Sequence, residues 1–330
     1  MPTNRRIVLA SRPQGAASTA NFRLETVELA PLTDGQVLVR NHFLSLDPYM
    51  RGRMNDARSY ATPQALNETM VGGTVGVVIE SRNLKFNAGD TVVGGYGWQE
   101  YGISDGALLR NVDPALPLSA YLGAVGMPGV TAWYGLNQII APKAGETVVV
   151  SAASGAVGSV VGQLAKLAGC RAVGIAGGAQ KCQYVVDELK FDACIDYKNE
   201  DVARRLEQTC LRGIDGNFEN VGGEILNAVL PCMNAHGRIA MCGQIASYDR
   251  EPIALKNPAW LLLSRLKLQG FIISEHPQIW PQALAELGAG VASGKIRYRE
   301  TIVQGLENAP TAFLGLLKGE NFGKQLVKLI

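Results

Sequence analysis

Metal-binding side chains are scarce in this chain of 330 residues. It has three histidines, and its six cysteines all lie at or after Cys170, with no C-x-x-C pair among them. Structural zinc sites and disulfide frameworks both depend on closely spaced cysteines or histidines. We therefore expect no metal site and no disulfide framework, and we interpret the cysteines as buried, reduced thiols of a cytoplasmic protein.

An excess of one charge is also absent. The chain has 31 basic and 29 acidic side chains, a net charge of +2, and only 18% charged residues. No basic run is present that would bind nucleic acid, and no apolar run of signal-peptide length follows Arg5 and Arg6. The uncharged stretch Thr147–Ala165 is interrupted by glycines, which favours a strand, a loop and a helix over a membrane span. We expect neither a nucleic-acid partner nor insertion into a membrane.

Glycine is the residue type in excess: the chain has 38, more than half of them between Gly72 and Gly178. Up to about Leu116, short strand patterns such as Gln36–His42 and Gly73–Glu80 are separated by turns. Tight turns and close strand packing use glycine. This part of the chain therefore predicts a small β-barrel.

The pattern changes after Leu116. Pro117–Leu136 is helical in parts and is interrupted by Met127–Gly129. Strands and helices then alternate, ending with the long extended run Leu266–Ser274 and the helix Trp280–Val291. Such alternation is typical of a parallel sheet covered by helices on both faces, and it predicts an α/β fold.

A strand runs directly into a glycine-rich loop at residues 147–158, TVVVSAASGAVG. Gly155 allows the backbone to approach a pyrophosphate, and Gly158 allows the following helix to pack closely on the strand. The N-terminus of that helix offers unpaired N–H groups to phosphates. Ala153 replaces the first glycine of the G-x-G-x-x-G fingerprint, but the strand–loop–helix context is the one that the fingerprint requires. The segment predicts a dinucleotide site.

The end of the second strand of this unit indicates which dinucleotide binds. An NAD site usually has Asp or Glu there, about 20 residues after the loop, to bind the ribose 2′-hydroxyl. This chain has Ala176, Gly177 and Gly178 at that point, followed by Lys181. A missing acid and a nearby cation favour a ribose 2′-phosphate. The sequence therefore predicts NADPH.

Two common ways of activating a carbonyl group are absent from the sequence. The zinc ligands are missing, and none of the ten tyrosines belongs to a Tyr-x-x-x-Lys pair. Reducing a C=C bond conjugated to a carbonyl demands less, because the enolate spreads its charge onto an oxygen that a hydroxyl donor can stabilise. Reduction of an enone or a quinone is the chemistry that remains.

Six segments carry a family resemblance over essentially the whole chain: LSLDPYMRGRM (44–54), MPGVTAWYGL (127–136), SAASGAVGSVVGQLAKLAGC (151–170), FENVGGE (218–224), CGQIASYD (242–249) and GENFGKQLVK (319–328). Together they resemble the zinc-free medium-chain dehydrogenase/reductases. Within these, the chain is most similar to the leukotriene B4 12-hydroxydehydrogenase / 15-oxo-prostaglandin 13-reductase family, which includes alkenal double-bond reductases and curcumin reductase-like enzymes.

The resemblance implies a Rossmann doubly wound parallel sheet plus a GroES-like β-barrel. Residues 1–117 would form the barrel, which holds substrate and catalytic groups; residues 118–295 would form the dinucleotide-binding Rossmann domain; and residues 296–330 would return to the barrel. The implied activity is NADPH-dependent reduction of the C=C bond of 2-alkenals and enones without zinc. The implied protein is a cytoplasmic homodimer with a small-molecule substrate.

The resemblance also assigns site residues. Tyr248 matches a tyrosine proposed to hydrogen-bond the substrate carbonyl or the nicotinamide ribose, and Tyr49 matches an aromatic residue on the substrate side, so these two are the candidate catalytic residues. Lys181 and Tyr197 match contacts of the 2′-phosphate. The candidate cofactor-binding residues, which also include Tyr248, are Ala152, Gly155, Ala156, Val157, Gly158, Gly177, Lys181, Tyr197, Asn220, Cys242, Gly243, Phe271 and Asn321.

The sequence leaves several alternatives open. The proton that completes the reaction comes from Tyr248, from a ribose hydroxyl or from water. A zinc-free quinone oxidoreductase would share the fold and the cofactor, as would a non-catalytic NADPH-binding protein. The run LKLQGFIIS (266–274) offers a strand edge for dimerisation, although an edge strand buried within one chain has the same pattern.

Overall fold

A computed structural model describes residues 3–249, 251 and 253–330. The described residues divide into two compact units. The first contains the chain up to Leu122 together with Glu300–Asn321 and Gln325–Ile330, and the second contains Gly123–Arg299 and Phe322–Lys324. The divisions fall a few residues later in the chain than the boundaries expected after residues 117 and 295.

Antiparallel strands and two helices form the first unit. Numbered along the whole chain, they are β1 (Thr3–Leu9), β2 (Phe22–Glu28), β3 (Val37–Ser45), α1 (Tyr49–Arg53), β4 (Thr74–Ser81), β5 (Thr91–Gly94), β6 (Tyr101–Ser104), β7 (Arg110–Asn111), β14 (Glu300–Gln304), α9 (Ala309–Leu317) and β15 (Lys324–Lys328). β1 pairs with β2, and a seven-stranded sheet has the order β14-β15-β3-β4-β5-β7, with β6 paired to β3.

An aromatic cluster lies in the core of the first unit. Trp98 stacks on Phe22 with ring centroids 5.3 Å apart, and Phe313 of α9 meets the Trp98 ring edge-on at 5.6 Å. All three side chains are buried. Large aromatic side chains contribute much of the apolar area that a core removes from water, so this cluster stabilises the attachment of α9 to the strands.

The second unit contains a six-stranded parallel sheet. Its strands are β8 (Thr147–Ser151), β9 (Arg171–Ala176), β10 (Ala193–Asp196), β11 (Ile214–Glu219), β12 (Met233–Met241) and β13 (Lys267–Gly270). They lie in the order β10-β9-β8-β11-β12-β13, and each neighbouring pair is parallel. This is the 3-2-1-4-5-6 order of the Rossmann fold. The predicted fold class, a doubly wound sheet together with a β unit, is confirmed.

Helices cover both faces of the parallel sheet. They are α2 (Met127–Tyr134), α3 (Gly158–Leu167), α4 (Ala179–Asp187), α5 (Val202–Thr209), α6 (Gly223–Val229), α7 (Ala259–Leu263) and α8 (Trp280–Ala292). β8 is buried along its whole length, and its alternate residues enter different cores. Val148 and Val150 pack with residues of α2, α3 and α8, whereas Val149 packs with residues of α5 and α6. Burial on both faces explains why this strand is a continuous apolar run in the sequence.

Two predicted elements are wrong in their extent. Met127–Gly129 does not interrupt a helix but begins α2, because the first turn accommodates proline, whose missing N–H has no intrahelical partner there. The extended run predicted at Leu266–Ser274 is shorter: β13 ends at Gly270, and Ile273–Glu275 form a 3-10 turn. The register of β13 with β12 ends where Gly270 faces Met241, so the strand has no neighbour along which to continue.

No described helix is long and apolar enough to cross a bilayer. The longest of them, α8, has 13 residues, whereas a span needs about 20. The uncharged stretch Thr147–Ala165 is divided between β8, a loop and α3, as its glycines predict.

Candidate dinucleotide site

The candidate cofactor residues of the second unit gather at one edge of its sheet. Because the six strands are parallel, their carboxyl ends lie on the same side, and each candidate follows such an end. Ala152–Gly158 follow β8, Gly177 and Lys181 follow β9, Tyr197 follows β10, Asn220 follows β11, Cys242, Gly243 and Tyr248 follow β12, and Phe271 follows β13. The strand order reverses between β8 and β11, and doubly wound sheets bind ligands in the crevice at such a switch point.

The loop after β8 is shaped by its own backbone. Ala152 has a left-handed φ of 50°, uncommon for a residue with a side chain, and its carbonyl accepts the Gly155 N–H at 2.9 Å. A Cβ atom on Gly158 would lie 2.4 Å from that carbonyl oxygen, so only glycine fits there. A Cβ on Gly155 would meet only this oxygen, at 3.2 Å, and would otherwise face open space. Packing therefore requires Gly158, whereas Gly155 leaves room for a ligand.

Three backbone donors stand at the end of this loop. They are the N–H groups of Ala156, Val157 and Gly158 at the start of α3, where a helix has no acceptor of its own for its first donors. α3 also begins without a side-chain cap. Unpaired N–H groups and the positive end of the helix dipole suit a phosphate group.

Gly177 and Tyr197 come together at the ends of β9 and β10. A Cβ on Gly177 would lie 2.9 Å from the Tyr197 ring and hydroxyl, so the glycine allows the ring to lie against the loop. The next residue, Gly178, donates its N–H to the Asp196 carboxylate at 2.7 Å. The hydrogen bond from the Asn199 side chain, together with backbone donors, holds the pKa of Asp196 below its usual range despite burial. This acid therefore remains a carboxylate that fixes the loop.

Lys181 lies in the first turn of α4 and is half-buried. Burial lowers the pKa of its ammonium group, and the positive charge of Lys198 lowers it further. Two cations that repel each other, one of them partly desolvated, make a site that a bound anion would stabilise. A ribose 2′-phosphate fits this arrangement, in agreement with the glycines that replace the acid of NAD sites.

A buried carboxylate that the sequence motifs do not indicate lies at the switch point. Glu219, the last residue of β11, is fully buried and accepts hydrogen bonds from the Ser151 hydroxyl and from the N–H groups of Val221 and Gly222, at 2.6, 2.7 and 2.9 Å. The N–H and the side-chain amide of Asn220 donate to Ser151 Oγ and to the Ser151 carbonyl. Glu219 and Ser151 thus hold the backbone around Asn220. An acid at the end of an apolar strand is the sequence feature that could have indicated this residue. Glutamate is almost never fully buried without partners, so such a position indicates a hydrogen-bonded carboxylate.

The segment after β12 brings Gly243 and Tyr248 together. A Cβ on Gly243 would lie 3.4 Å from the Tyr248 hydroxyl, so the phenol folds back toward the strand end. The preceding residue, Cys242, donates its N–H to the Glu219 carbonyl at 2.8 Å. Burial, with the nearby Glu219 carboxylate, raises the pKa of Cys242 to about 12. Its thiol is therefore neutral at physiological pH.

Phe271 differs from the other candidates because its partly buried side chain packs against the core of the second unit. The ring packs against Tyr134 and Phe218, with centroid distances of 5.4 and 6.3 Å. Phe271 is the first residue after β13, so its main chain lies at the carboxyl end of that strand, on the same edge of the sheet as the other candidates.

Two candidate residues lie in the first unit. Tyr49 begins α1, where burial and the negative charge of Asp47 raise the pKa of its phenol, so the hydroxyl remains protonated at alkaline pH. Asn321 is also part of the first unit, and the segment that follows it, Phe322–Lys324, belongs to the second.

The strand-end residues of the second unit fit a phosphorylated dinucleotide. The loop leaves space at Gly155, α3 begins after it without a side-chain cap, and Lys181 is placed where an anion would be stabilised. Among the same described residues, no group of three or more histidine, cysteine or acidic side chains is arranged to hold a metal ion.

Comparisons with known proteins identify the family. A model described as the N-terminal domain of oxidoreductase matches residues 5–112, and a model described as zinc-binding dehydrogenase matches residues 156–289. The chain is 49% identical to the NADPH-dependent curcumin reductase of Escherichia coli (strain K12), over 99% of this chain and 97% of that protein. It is 44% identical to prostaglandin reductase 1 of Rattus norvegicus, over 96% of each. The chain belongs to the zinc-free medium-chain reductases of the prostaglandin, curcumin and alkenal reductase family.

A solved medium-chain reductase has the same fold. The crystal structure of CurA in complex with NADPH from Vibrio vulnificus matches this chain with a TM-score of 0.94 and 49% identity, over 99% of both chains. The family predicted from the six sequence motifs is thereby confirmed.

Proposed function

We propose that this medium-chain reductase uses NADPH to reduce the C=C bond of α,β-unsaturated aldehydes and ketones. The observation that carries the proposal is the charge at the ends of β9 and β10. Lys181 is close enough to Lys198 for its pKa to be lowered, while Asp196 is engaged by the Gly178 N–H and other donors. This arrangement supports recognition of a 2′-phosphate. Curcumin reductase and prostaglandin reductase 1, both similar over nearly the whole chain, support the reaction.

NADPH, when bound, supplies the hydride that the β-carbon of the substrate accepts. The N–H groups of Ala156–Gly158 bind its pyrophosphate, and the backbone at Ala152 holds the loop in the shape that presents them. Lys181 and Tyr197 bind the 2′-phosphate beside Gly177. Further residues line the dinucleotide: Gly155, Asn220, Cys242, Gly243, Asn321 and, through its main chain, Phe271.

Tyr248 and Tyr49 are the residues to which we assign roles toward the substrate. The Tyr248 hydroxyl donates a hydrogen bond to the enolate oxygen that forms when the β-carbon is reduced, and this stabilises the developing negative charge. Tyr49 forms part of the wall that binds the substrate. Because burial raises its pKa, its phenol is a neutral surface that does not repel the enolate.

We also propose that the protein is a cytoplasmic homodimer. Within the described residues β13 pairs with β12 alone and forms an edge of the parallel sheet. Leu268 of β13 is exposed, as are Leu262 and Leu263 at the end of the preceding helix α7. A second copy pairing along β13 would cover these leucines and the unpaired strand edge. The six free thiols suit a reducing compartment. Light scattering coupled to gel filtration tests the dimer, and the mass of a single chain would contradict it.

The activity is tested by following NADPH absorbance with a 2-alkenal, an enone and a benzoquinone as acceptors. We expect turnover of the 2-alkenal and the enone, with a saturated carbonyl as the product. If NADPH is consumed no faster with these acceptors than without them, the proposal fails. Faster turnover of the benzoquinone would favour a quinone reductase instead.

The cofactor assignment has its own test in Lys181→Gln. This change removes the charge and keeps an unbranched polar side chain that is one atom shorter, so we expect the KM for NADPH to rise roughly tenfold or more, as loss of a charged hydrogen bond predicts. NADH lacks the 2′-phosphate and is the matched control, so its KM stays near the wild-type value. Equal effects on both cofactors would contradict the assignment.

A further inference from the structure

Cys182 and Cys194 are in direct contact. The Cys194 thiol donates a hydrogen bond to Cys182 Sγ at 3.2 Å, although the two residues are 12 positions apart in the chain. Cys182 lies in the first turn of α4, and Cys194 lies in β10. Among the six cysteines, all within the described residues, no other pair makes such a bond. Cys182 and Cys194 are partly exposed residues, whereas Cys170 and Cys210 are buried.

The neighbouring strand leaves room for this contact. Cys194 pairs with Gly174 of β9, and a Cβ atom on Gly174 would lie 3.3 Å from Cys194 Sγ. The missing side chain at Gly174 therefore provides part of the space that Cys194 Sγ occupies. On the other side, the N–H groups of Cys182 and Lys181 both donate to the Gly178 carbonyl at 3.1 Å. Cys182 thus belongs to the same helical turn as Lys181.

The hydrogen bond also gives the two thiols different chemistry. Because Cys194 donates to Cys182, it lowers the pKa of Cys182 and raises the pKa of its own thiol. A thiolate is the nucleophile that attacks peroxides and disulfides. Cys182 is therefore the thiol that reacts first. Cys194, a neutral thiol in contact with Cys182, reacts second.

We propose that Cys182 and Cys194 form a redox modification site that a hydroperoxide converts into an intramolecular disulfide, and that this disulfide weakens NADPH binding through Lys181; the second part rests on the proposed function. In the first step the Cys182 thiolate attacks one oxygen of the hydroperoxide, the O–O bond breaks, and Cys182 becomes a sulfenic acid while hydroxide or alkoxide leaves. In the second step Cys194 attacks this sulfur, the S–S bond forms, and water leaves. Two thiols are oxidised and one peroxide is reduced.

The effect on NADPH follows from the distance that the sulfurs must move. A disulfide bond is about 2.05 Å long, so the sulfurs must approach by roughly 1.2 Å from their separation of 3.2 Å. This draws the first turn of α4 toward β10 and displaces Lys181. We expect the Kd for NADPH to rise roughly threefold to tenfold, the range for a weakened charged hydrogen bond. The Kd for NADH stays constant.

The chemical step is tested on the full chain with hydrogen peroxide, intact mass spectrometry and thiol counting. We expect the loss of two thiols and of about 2 Da, both restored by dithiothreitol, and an unreduced digest in which the peptides carrying Cys182 and Cys194 are linked. Cys182→Ser and Cys194→Ser do not lose these 2 Da, whereas the matched control Cys232→Ser, another partly exposed thiol, behaves as the wild type. If the wild-type protein keeps both thiols, or if the digest contains a different linked pair of peptides, the proposed disulfide is wrong. Both measurements use the wild-type protein, so they do not depend on whether a variant folds.

The coupling to NADPH is tested by titrating the oxidised and reduced protein with NADPH and with NADH. A higher Kd for NADPH alone after oxidation, together with slower oxidation in the presence of NADPH, supports the coupling. An unchanged Kd after complete disulfide formation overturns it. If the protein bound no NADPH at all, the proposed function would fail, but the mass and thiol measurements would still decide whether the disulfide forms.

Discussion

The hydroxyl of Ser151 donates a hydrogen bond of 2.6 Å to the carboxylate of Glu219, and both side chains are fully buried. These residues end β8 and β11 and lie 68 positions apart in the chain. The two strands are neighbours at the point where the strand order of the sheet reverses. The bond therefore ties the loop that begins at Ala152 to the turn that begins at Asn220, two segments to which we assign cofactor contacts.

Removing this bond is expected to destabilise the second unit. Ser151→Ala leaves the Glu219 carboxylate with fewer donors, and we expect the free energy of unfolding to fall by about 1.5–3 kcal/mol, the range for a hydrogen bond to a charged group. Chemical denaturation of Ser151→Ala, Glu219→Gln and the double variant measures the effect. We expect the pair to be coupled by at least about 0.5 kcal/mol. Strictly additive changes would show that the bond contributes nothing.

The two glycines of the loop are expected to respond differently to alanine. In Gly158→Ala the new Cβ lies 2.4 Å from the Ala152 carbonyl oxygen, so the loop must shift, and we expect the free energy of unfolding to fall by about 1–3 kcal/mol. In Gly155→Ala the new Cβ faces open space apart from a 3.2 Å contact. We expect stability within about 1 kcal/mol of the wild type but weaker NADPH binding. Denaturation without cofactor and a binding titration separate the two effects, and a Gly158→Ala protein of wild-type stability would contradict this account.

The two candidate catalytic tyrosines are expected to differ in kinetic effect. Tyr248→Phe removes the hydroxyl that we assign to the enolate oxygen, so we expect kcat to fall by roughly 100-fold with little change in KM. Tyr49→Phe keeps the ring that we assign to the substrate wall, so we expect mainly a change in KM. Because burial raises the pKa of Tyr49, its ionisation produces no step in the rate below about pH 10. Steady-state kinetics with one enone, measured across a range of pH, give kcat, KM and the pH dependence of the rate. An unchanged kcat in Tyr248→Phe would rule out the proposed role of the Tyr248 hydroxyl.

Acid is expected to remove the stabilisation that Asp196 provides. Its pKa is lower in the folded protein than in the unfolded chain, so its contribution is complete above about pH 4 and is lost as the pH falls through the folded pKa. The difference in Tm between wild type and Asp196→Asn should therefore be largest near neutral pH and should shrink below about pH 4. Thermal scans from acidic to neutral pH test this. Asp187→Asn, at an exposed position of α4, is the matched control, and a difference for Asp196→Asn that grows in acid would contradict the assignment.

The bounds of strands with a clear local residue pattern could be predicted from the sequence. The bounds of strands whose length depends on a neighbouring strand could not. β9 and β10 have the predicted bounds, Arg171–Ala176 and Ala193–Asp196, because each is a short apolar run between clear breaks. β13 is shorter than the extended run predicted from Leu266 to Ser274, because its length depends on where β12 stops offering hydrogen bonds. A residue pattern contains no information about where a distant partner strand ends.

The sequence by itself determined the strand–loop–helix unit around Gly155 and Gly158 and the family, and it predicts a 2′-phosphate contact at Lys181. These features are local, since a loop, its strand and its helix are consecutive in the chain. Only the tertiary structure decided that Glu219 meets Ser151, that Asp196 binds the Gly178 N–H across 18 positions, and that Cys182 touches Cys194. The physical reason is the order of the sheet: parallel strands joined by helices place the ends of sequence-distant segments side by side. Contacts between those ends therefore depend on how the whole unit folds.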